Sequence, residues 1–320
     1  THWYHTSREW IKKVVLADGT YVFNNPWSIQ SMEKHTAYVG MMRLGMPVPD
    51  TWMIPPKDYD WTDDLKTTLE RYARLFELDE VGEAVGYPCY LKPYDGGAWV
   101  GVSRIKDAEA LRAAYDDSGK RVMHLQQSVE PFDVFVRCLA VGPQTRIVRY
   151  DPDAPLHERY TLDKDFVSAD DASLLRDMTL TINTFFGWDF NSCEALRKDG
   201  VYYPIDFANA CPDSQITSLH YHWPWLVKAK TRWSVYVAAT EKAQQRITDW
   251  DPYFNIAAKS DLSYREKLAG YAKIADKRLE TEAFETFCAK HLKHLDEVAW
   301  EVFGEASTRD AVRLKVQALF

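Results

Sequence analysis

Cys89-Tyr90-Leu91-Lys92-Pro93-Tyr94-Asp95-Gly96-Gly97 runs from a short apolar segment into a lysine and then a glycine pair. The apolar residues predict the end of a buried strand, from which Lys92 emerges as a fixed cation. Residues 95–101 follow as a glycine-bearing flap. Backbone N–H groups approach phosphate oxygens only where side chains are missing, and successive donors in a turn form an anion-binding concavity. The pattern reads as one half of an ATP site, although the lysine and glycines alone fit an ordinary loop equally well.

Outward from this stretch, Tyr21-Val22-Phe23 reads as a strand end and Asn24-Asn25-Pro26 as a turn. A helix is predicted over 28–44, stopped by Gly45 and kept stopped by Pro47 and Pro49. A short strand over 51–54 precedes a helix over 63–78, with Leu65, Leu69, Tyr72 and Leu75 on one face. Further on, the expectation is a helix over 107–116, strands over 122–127, 134–141 and 145–150, and a charged loop over 151–165. An amphipathic helix over 169–186 ends at Gly187. Strands over 193–197 and 201–207 flank Lys198-Asp199-Gly200, a hairpin turn signature. Antiparallel hairpins mixed with helices, without strict β-α-β repetition, predict an α+β fold. Beyond about residue 223, Leu, Ala, Tyr and Trp recur at helical spacing over 225–247 and 263–303, a helical extension whose aromatic stripe is core or interface.

Composition narrows the function classes. A chain of 320 residues can bury a full core and hold two or three structural units. A formal charge of -8 and a pI of 5.6 argue against nucleic acid as partner, since phosphate-backbone binders carry a basic stripe. Five cysteines without a Cys-x-x-Cys pair suit reduced thiols and a cytoplasmic location. No apolar run reaches the roughly 18 residues that span a bilayer, so no membrane role is expected.

The second half of the site is acidic. The Asp199-Gly200 hairpin brings Glu194 on one strand near Asp206 on the next, with Asn209 three residues on. Two carboxylates near 4 Å repel by roughly 4 kcal/mol at an effective dielectric of 20, so such a pair shares a proton or holds a metal. Magnesium prefers one or two carboxylates completed by phosphate oxygens. With Lys92 and the flap, the pair reads as a magnesium clamp on ATP, where phosphoryl transfer depends mostly on positioning and charge neutralisation. Without the flap, Glu194 and Asp206 read equally well as solvent-facing strand residues.

These elements together resemble the ATP-grasp superfamily, whose carboxylate–amine ligases include D-alanine–D-alanine ligase and glutathione synthetase. The resemblance spans roughly residues 20–215. Gly86-Tyr87-Pro88-Cys89-Tyr90-Leu91-Lys92-Pro93 matches the family's phosphate-lysine strand, and Gly96-Gly97 falls in its phosphate loop. Lys34, before Gly45-Met46-Pro47-Val48-Pro49, matches its earlier nucleotide lysine. Leu125-Gln126-Gln127-Ser128-Val129 looks like the hinge strand that takes adenine, which implies Gln126, Gln127 and Val129 as adenine contacts. Asp133 falls at the ribose position, Arg146 at a phosphate-touching strand cation, and Glu194, Asp206 and Asn209 at the metal ligands. Three departures stand out. The chain has Asp206-Phe207-Ala208-Asn209 where the family commonly has Glu-x-Asn. Asn191 and Ser192 stand where D-alanine ligases carry an arginine that steadies the acyl phosphate, leaving Arg137 or Arg149 as substitutes. The usual N-terminal domain is represented at most by its last segment.

The resemblance implies a fold of two α+β subdomains with ATP between them. The expected division is 1–45 as the end of a truncated N-terminal region, 46–222 as the ATP-grasp domain with subdomains 46–127 and 128–222, and 223–320 as the helical extension. It implies ATP and Mg2+ as cofactors and an acyl-phosphate route joining a small-molecule carboxylate to an amine. Lys92, Arg146 and Arg137 are the implied catalytic cations. Small-molecule kinase activity and nucleotide binding without turnover are the alternatives. Arg137, Arg149 and Arg159 are also candidates to hold a substrate carboxylate, though such arginines are often surface ion pairs. The tryptophan-rich tail fits a homodimer surface as well as a lid. No P-loop or Rossmann fingerprint occurs, and Asp206-Phe207-Ala208 lacks the other protein-kinase motifs. His220-x-His222 and His291-x-x-His294 lack further ligands at zinc spacing and read as packing or surface histidines.

Overall fold

The computed structural model describes residues 10–17, 19–24, 26–27, 34–72, 76–94, 100–155, 158–163, 165–208, 212–244, 248–295 and 297–298. Helix α1 covers 10–17 and α2 covers Lys34–Arg43. The first sheet has the order β1-β4-β2-β3, from Thr51–Ile54, Met123–Gln127, Cys89–Pro93 and Ser103–Ile105. The second has the order β7-β6-β5-β8-β9, from Tyr160–Thr161, Gln144–Tyr150, Val134–Val141, Phe190–Lys198 and Val201–Asp206. Every pairing among these strands is antiparallel, as the hairpin pattern predicts for an α+β fold.

One face of the first sheet packs Ile54, Cys89, Leu91 and Leu125 against α4 (Leu78–Val85) and α5 (Ala108–Asp116). Asp107 caps α5 by accepting from Ala110 N–H, and this fixes where the helix starts. In the second sheet β5 is buried at every position because both its faces are covered. Val136, Cys138, Cys193 and Ala195 pack on Leu175, Met178 and Ile182 of α6 (Ala169–Phe186). Phe135, Leu139 and Val148 share a cluster with Leu226 and Trp233 of α8 (Trp223–Ala239) and with residues of α10 (Tyr264–Leu279) and α11 (Thr281–His291). The helical extension therefore completes the core of the second sheet. Gly142, with φ of 54°, lies so close to the Trp233 ring that a Cβ there would collide with it.

Several elements differ from expectation. The predicted helix over 63–78 ends as α3 at Tyr72, and a separate α4 begins at Leu78. The second helix was obscured by Gly82, which sits mid-helix because a Cβ there would strike Tyr87 and Leu111. The Tyr21-Val22-Phe23 segment forms no strand. Instead Asn24 bridges to Trp188, and its amide holds the start of β8 by accepting from Asp189 and Phe190 N–H. Strands β3 and β7 are too short to show periodicity. The helical stretch over 263–303 is broken at Glu280, which takes a left-handed φ of 54° while its carboxylate accepts from Tyr236 and pairs with Lys242. Residues 28–33 of the helix predicted over 28–44 lie outside the described residues.

Candidate active site

Alternation along the strands decides which side chains meet. In the first sheet Lys92 is in register with His124, and Tyr90 with Gln126, so Lys92, His124 and Gln126 share the face opposite the Leu91–Leu125 core. In the second sheet Arg137 is in register with Glu194, and Glu194 with Asp206. All three turn away from α6, whose face is taken by Cys138 and Cys193. Opposite Glu194 and Ala195, β9 carries one extra residue, Ile205, and this bulge turns Asp206 to face Glu194. The Asp-Gly turn makes the hairpin, with Asp199 at φ 52° and Gly200 at φ 75°, and the bulge then sets the two carboxylates opposite each other.

Helix α2 brings the two sheets to one place. Its first residue, Lys34, donates its backbone N–H to Tyr94 O just past β2 and its Nζ to Asp206 Oδ2 at 2.9 Å. One turn on, Tyr38 donates its hydroxyl to Ile205 O at 2.7 Å. Lys92 Nζ donates to Tyr38 Oη at 3.0 Å, to Gln126 Oε1 at 2.6 Å and to Ile205 O at 3.4 Å. Lys34, Lys92, Arg137, Glu194 and Asp206 therefore form one cluster of three cations and two carboxylates.

Burial and these neighbours set the charges. Burial, reinforced by Lys34, lowers the Lys92 ammonium to about 7. Burial alone would lower Lys34 too, but Asp206 and Glu194 outweigh it and hold Lys34 above its ordinary value. Burial pushes Glu194 above the usual carboxylate range against the pull of Arg137. Asp206 resists the same burial because Lys34 and Lys92 hold it below that range. Two neighbouring acids with opposite shifts are a common mark of a functional centre. Their hard oxygen donors fit magnesium, and Lys34 already places a positive charge on Asp206. Among the described residues no cluster of three or more His, Cys, Asp or Glu forms a metal cage.

Arg137, at 6% exposure, donates to Tyr160 Oη and Ser192 Oγ and lies 3.6 Å from Glu194 Oε1. Its guanidinium reaches the strand position where Ser192 leaves room. Arg146 is in register with Leu139, two residues from Arg137, and shares that face. Other expected contacts are placed differently. Gln126 is engaged at both ends, by Lys92 and by Thr51, so its amide is not open for adenine. Gln127 alternates to the Cys89 side, away from the lysines, and keeps only its backbone N–H in a bond to Asp50 O. Val129 is buried in the core of the second sheet. Asp133 is 61% exposed and engaged by Arg197 through two nitrogens, which holds its carboxyl low. Gly96, Gly97 and Asn209 lie outside the described residues.

Tyr38, Tyr160, Ser192 and His222 were not singled out from sequence as site residues. Only Tyr38 had a local signal, standing four residues from Lys34 and so on the same helix face. His124 is fully buried with neither ring nitrogen hydrogen-bonded, its ring centroid 5.1 Å from that of His35. Burial, His35 and the two lysines push it to about 3, so it adds no charge at neutral pH.

No family model matches the chain. A D-alanine–D-alanine ligase of Heliobacterium modesticaldum is 31% identical over 107 residues, which are 32% of this chain and 28% of that protein. The D-alanine–D-alanine ligase of Bifidobacterium animalis subsp. lactis is 27% identical over 122 residues, 36% of this chain and 31% of that protein. The chain thus spans under a third of the length of these curated relatives. Among solved structures, a Bacillus anthracis D-alanine–D-alanine ligase complexed with ATP is 16% identical, with a TM-score of 0.46 over 66% of this chain and 69% of its own. A RimK domain ATP-grasp protein from Sphaerobacter thermophilus is 16% identical, with a TM-score of 0.38 over 56% and 59%.

Proposed function

We propose that this chain, which is of the ATP-grasp type, joins a carboxylate to an amine at the expense of ATP. The observation that carries the proposal is the meeting of Lys34 and Lys92, from separate elements, at the Glu194–Asp206 pair. The γ-phosphoryl group passes to a substrate carboxylate oxygen, its bond to the β,γ-bridging oxygen breaks, and ADP leaves. An amine then attacks the acyl carbon, loses a proton, and displaces phosphate.

Lys34, Lys92 and Arg146 neutralise phosphate charge, and Gly96 and Gly97 offer backbone N–H groups to it. Arg137 faces the carbonyl oxygen of the acyl phosphate, the role its place beside Ser192 supports. Glu194 and Asp206, with Asn209, would hold Mg2+, whose contribution is to offset charge on the phosphate oxygens. The nucleoside is assigned to the segment after β4, through the backbone around Gln127 and Val129 and the carboxylate of Asp133, while Gln126 acts by holding Lys92. The division into 1–45, 46–222 and 223–320 is kept as part of the proposal, with the extension walling the second sheet. Small-molecule carboxylates and amines are the proposed partners, without nucleic acid or membrane, and a homodimer through the extension is the proposed assembly. No helix among the described residues is long and apolar enough to cross a membrane. The four described cysteines are buried free thiols, which supports a reducing, cytoplasmic setting.

The test is ADP release against a panel of amino acids and small carboxylates, with and without an added amine. Amine-dependent ADP release that disappears in Lys92→Ala and Asp206→Ala is the expected result. A stable phosphorylated product without amine dependence would reassign the chain as a kinase, and turnover surviving both substitutions would sink the site.

A further inference from the structure

Arg146 is a half-buried arginine without a carboxylate. Its Nε–H donates to His222 Nδ1 at 3.4 Å, and neither of its two Nη groups has a protein partner among the described residues. Neither Nη is sealed from solvent, since both are absent from the buried unpaired atoms. Burial, with no anion to offset it, lowers the pKa of this side chain. Cations taken out of water are ordinarily paired, so an open guanidinium fork on the face shared with Arg137 and Glu194 calls for an anionic ligand.

His222 determines how that fork is aimed. It is 3% exposed, and its Nε2 lies 3.2 Å from Thr161 O. Both contacts are satisfied by one state only, the neutral imidazole with its proton on Nε2. A proton on Nδ1 would face the Arg146 N–H, and burial and Arg146 indeed push His222 down to about 4. The histidine reaches this place through an unusual turn, because His220 has φ 42° and ψ -107°, a sparsely populated conformation for a residue with a Cβ. Strand β7 thereby supports both arginines: Tyr160 accepts from Arg137, and Thr161 O holds the histidine that holds Arg146.

We infer that His222 is a positioning residue, holding Arg146 so that its two Nη groups take the oxygens of an oxyanion in the cleft. This rests on the proposed ligase reading. Two sources share that chemistry, a terminal phosphate of the nucleotide and the carboxylate of the acid substrate. The place of Arg146 on the sheet face that also carries Arg137 and Glu194 favours phosphate.

Calorimetric titration of the full chain with Mg-AMP-PNP and with AMP, alongside panel kinetics, tests it with Arg146→Lys, His222→Gln and His222→Asn. Glutamine keeps the contact to Thr161 but withdraws the acceptor from Arg146, whereas an asparagine oxygen falls near the Nδ1 position. Mg-AMP-PNP affinity should drop about tenfold in Arg146→Lys and His222→Gln and recover in His222→Asn, with AMP affinity unchanged throughout. A carboxylate ligand would instead leave Mg-AMP-PNP affinity intact and raise KM for the acid by a similar factor in the same two variants. Equal impairment of His222→Gln and His222→Asn, or no change in either arm, overturns the inference. If the unmodified chain fails to bind Mg-AMP-PNP, the ligase reading falls and this inference with it. If it binds but ignores His222, the inference alone falls.

Discussion

Lys92 and Gln126 stand on adjacent strands of the first sheet, and the lysine ammonium donates to the glutamine carbonyl oxygen across 2.6 Å. A neutral acceptor leaves the buried ammonium without a countercharge in direct contact, which is why its pKa falls to about 7.

Nucleotide affinity should therefore depend on pH in a stated direction. The folded-state pKa of Lys92 is lowered to about 7, so the ammonium that pairs with phosphate is already half lost at that pH and falls further above it. Mg-AMP-PNP affinity should decline as pH rises above that, by up to about tenfold per unit. Lys92→Arg, whose guanidinium stays charged, should flatten the curve wherever it still binds. A flat profile for the unmodified chain, measured calorimetrically from pH 6 to 9, would count against a phosphate role for this lysine.

The Lys34–Asp206 pair should stabilise the fold over a wide pH window. Asp206 has a lowered folded-state pKa, so its contribution is present above the ordinary carboxylate pKa and is lost as pH falls through the lower, folded value. Lys34 has a raised one, so its contribution holds below the ordinary lysine pKa and is lost only above the raised value. Asp206→Asn should cost about 1–2 kcal/mol at pH 7, the small figure reflecting solvent screening of a side chain that is 34% exposed. Chemical denaturation at pH 7 and pH 3 checks this, the difference between the two proteins shrinking at the lower pH.

Tyr160→Phe removes the hydroxyl that accepts from Arg137 while keeping the aromatic core contact with Tyr150. The expected outcome is a fall in kcat of about tenfold, a charged hydrogen bond's worth of positioning, with KM for ATP little changed. Steady-state kinetics decide it. A change confined to KM would move Arg137 from the reacting centre to nucleotide binding.

Gly200→Ala should destabilise the protein by about 1–2 kcal/mol, because the turn requires a positive φ of 75° that an alanine adopts at a cost. The loss should be visible in denaturation midpoints. A neutral result would mean that the β8–β9 hairpin tolerates another turn, and with it another register for Glu194 and Asp206.

The parts of the site that could be read from sequence are those with local signatures. Lys92 leaves a short apolar strand and the Asp199-Gly200 turn dictates a hairpin, but its plain register would oppose Glu194 to Ile205, and the extra residue in β9 that brings Asp206 there has no such signature. What could not be read depends on contacts between distant segments. The engagement of Gln126 by Lys92 follows from β2–β4 register and strand parity, which also send Gln127 to the opposite side. The Arg146–His222 contact joins a strand to a turn 76 residues later. Helix α4 was hidden by a glycine whose justification is a neighbouring tyrosine, and the break at Glu280 by a left-handed glutamate fixed through Tyr236 and Lys242.

The Trp233 indole pressed on Gly142 also constrains how this protein can be shortened. Cutting the chain after residue 222 would strip the indole from the β5–β6 turn and lay bare Phe135, Leu139 and Val148. The resulting fragment would carry a greasy, self-adhesive flank beside intact lysines and carboxylates. Expression trials on such a piece would report clumping, and inactivity there would say nothing about the chemistry.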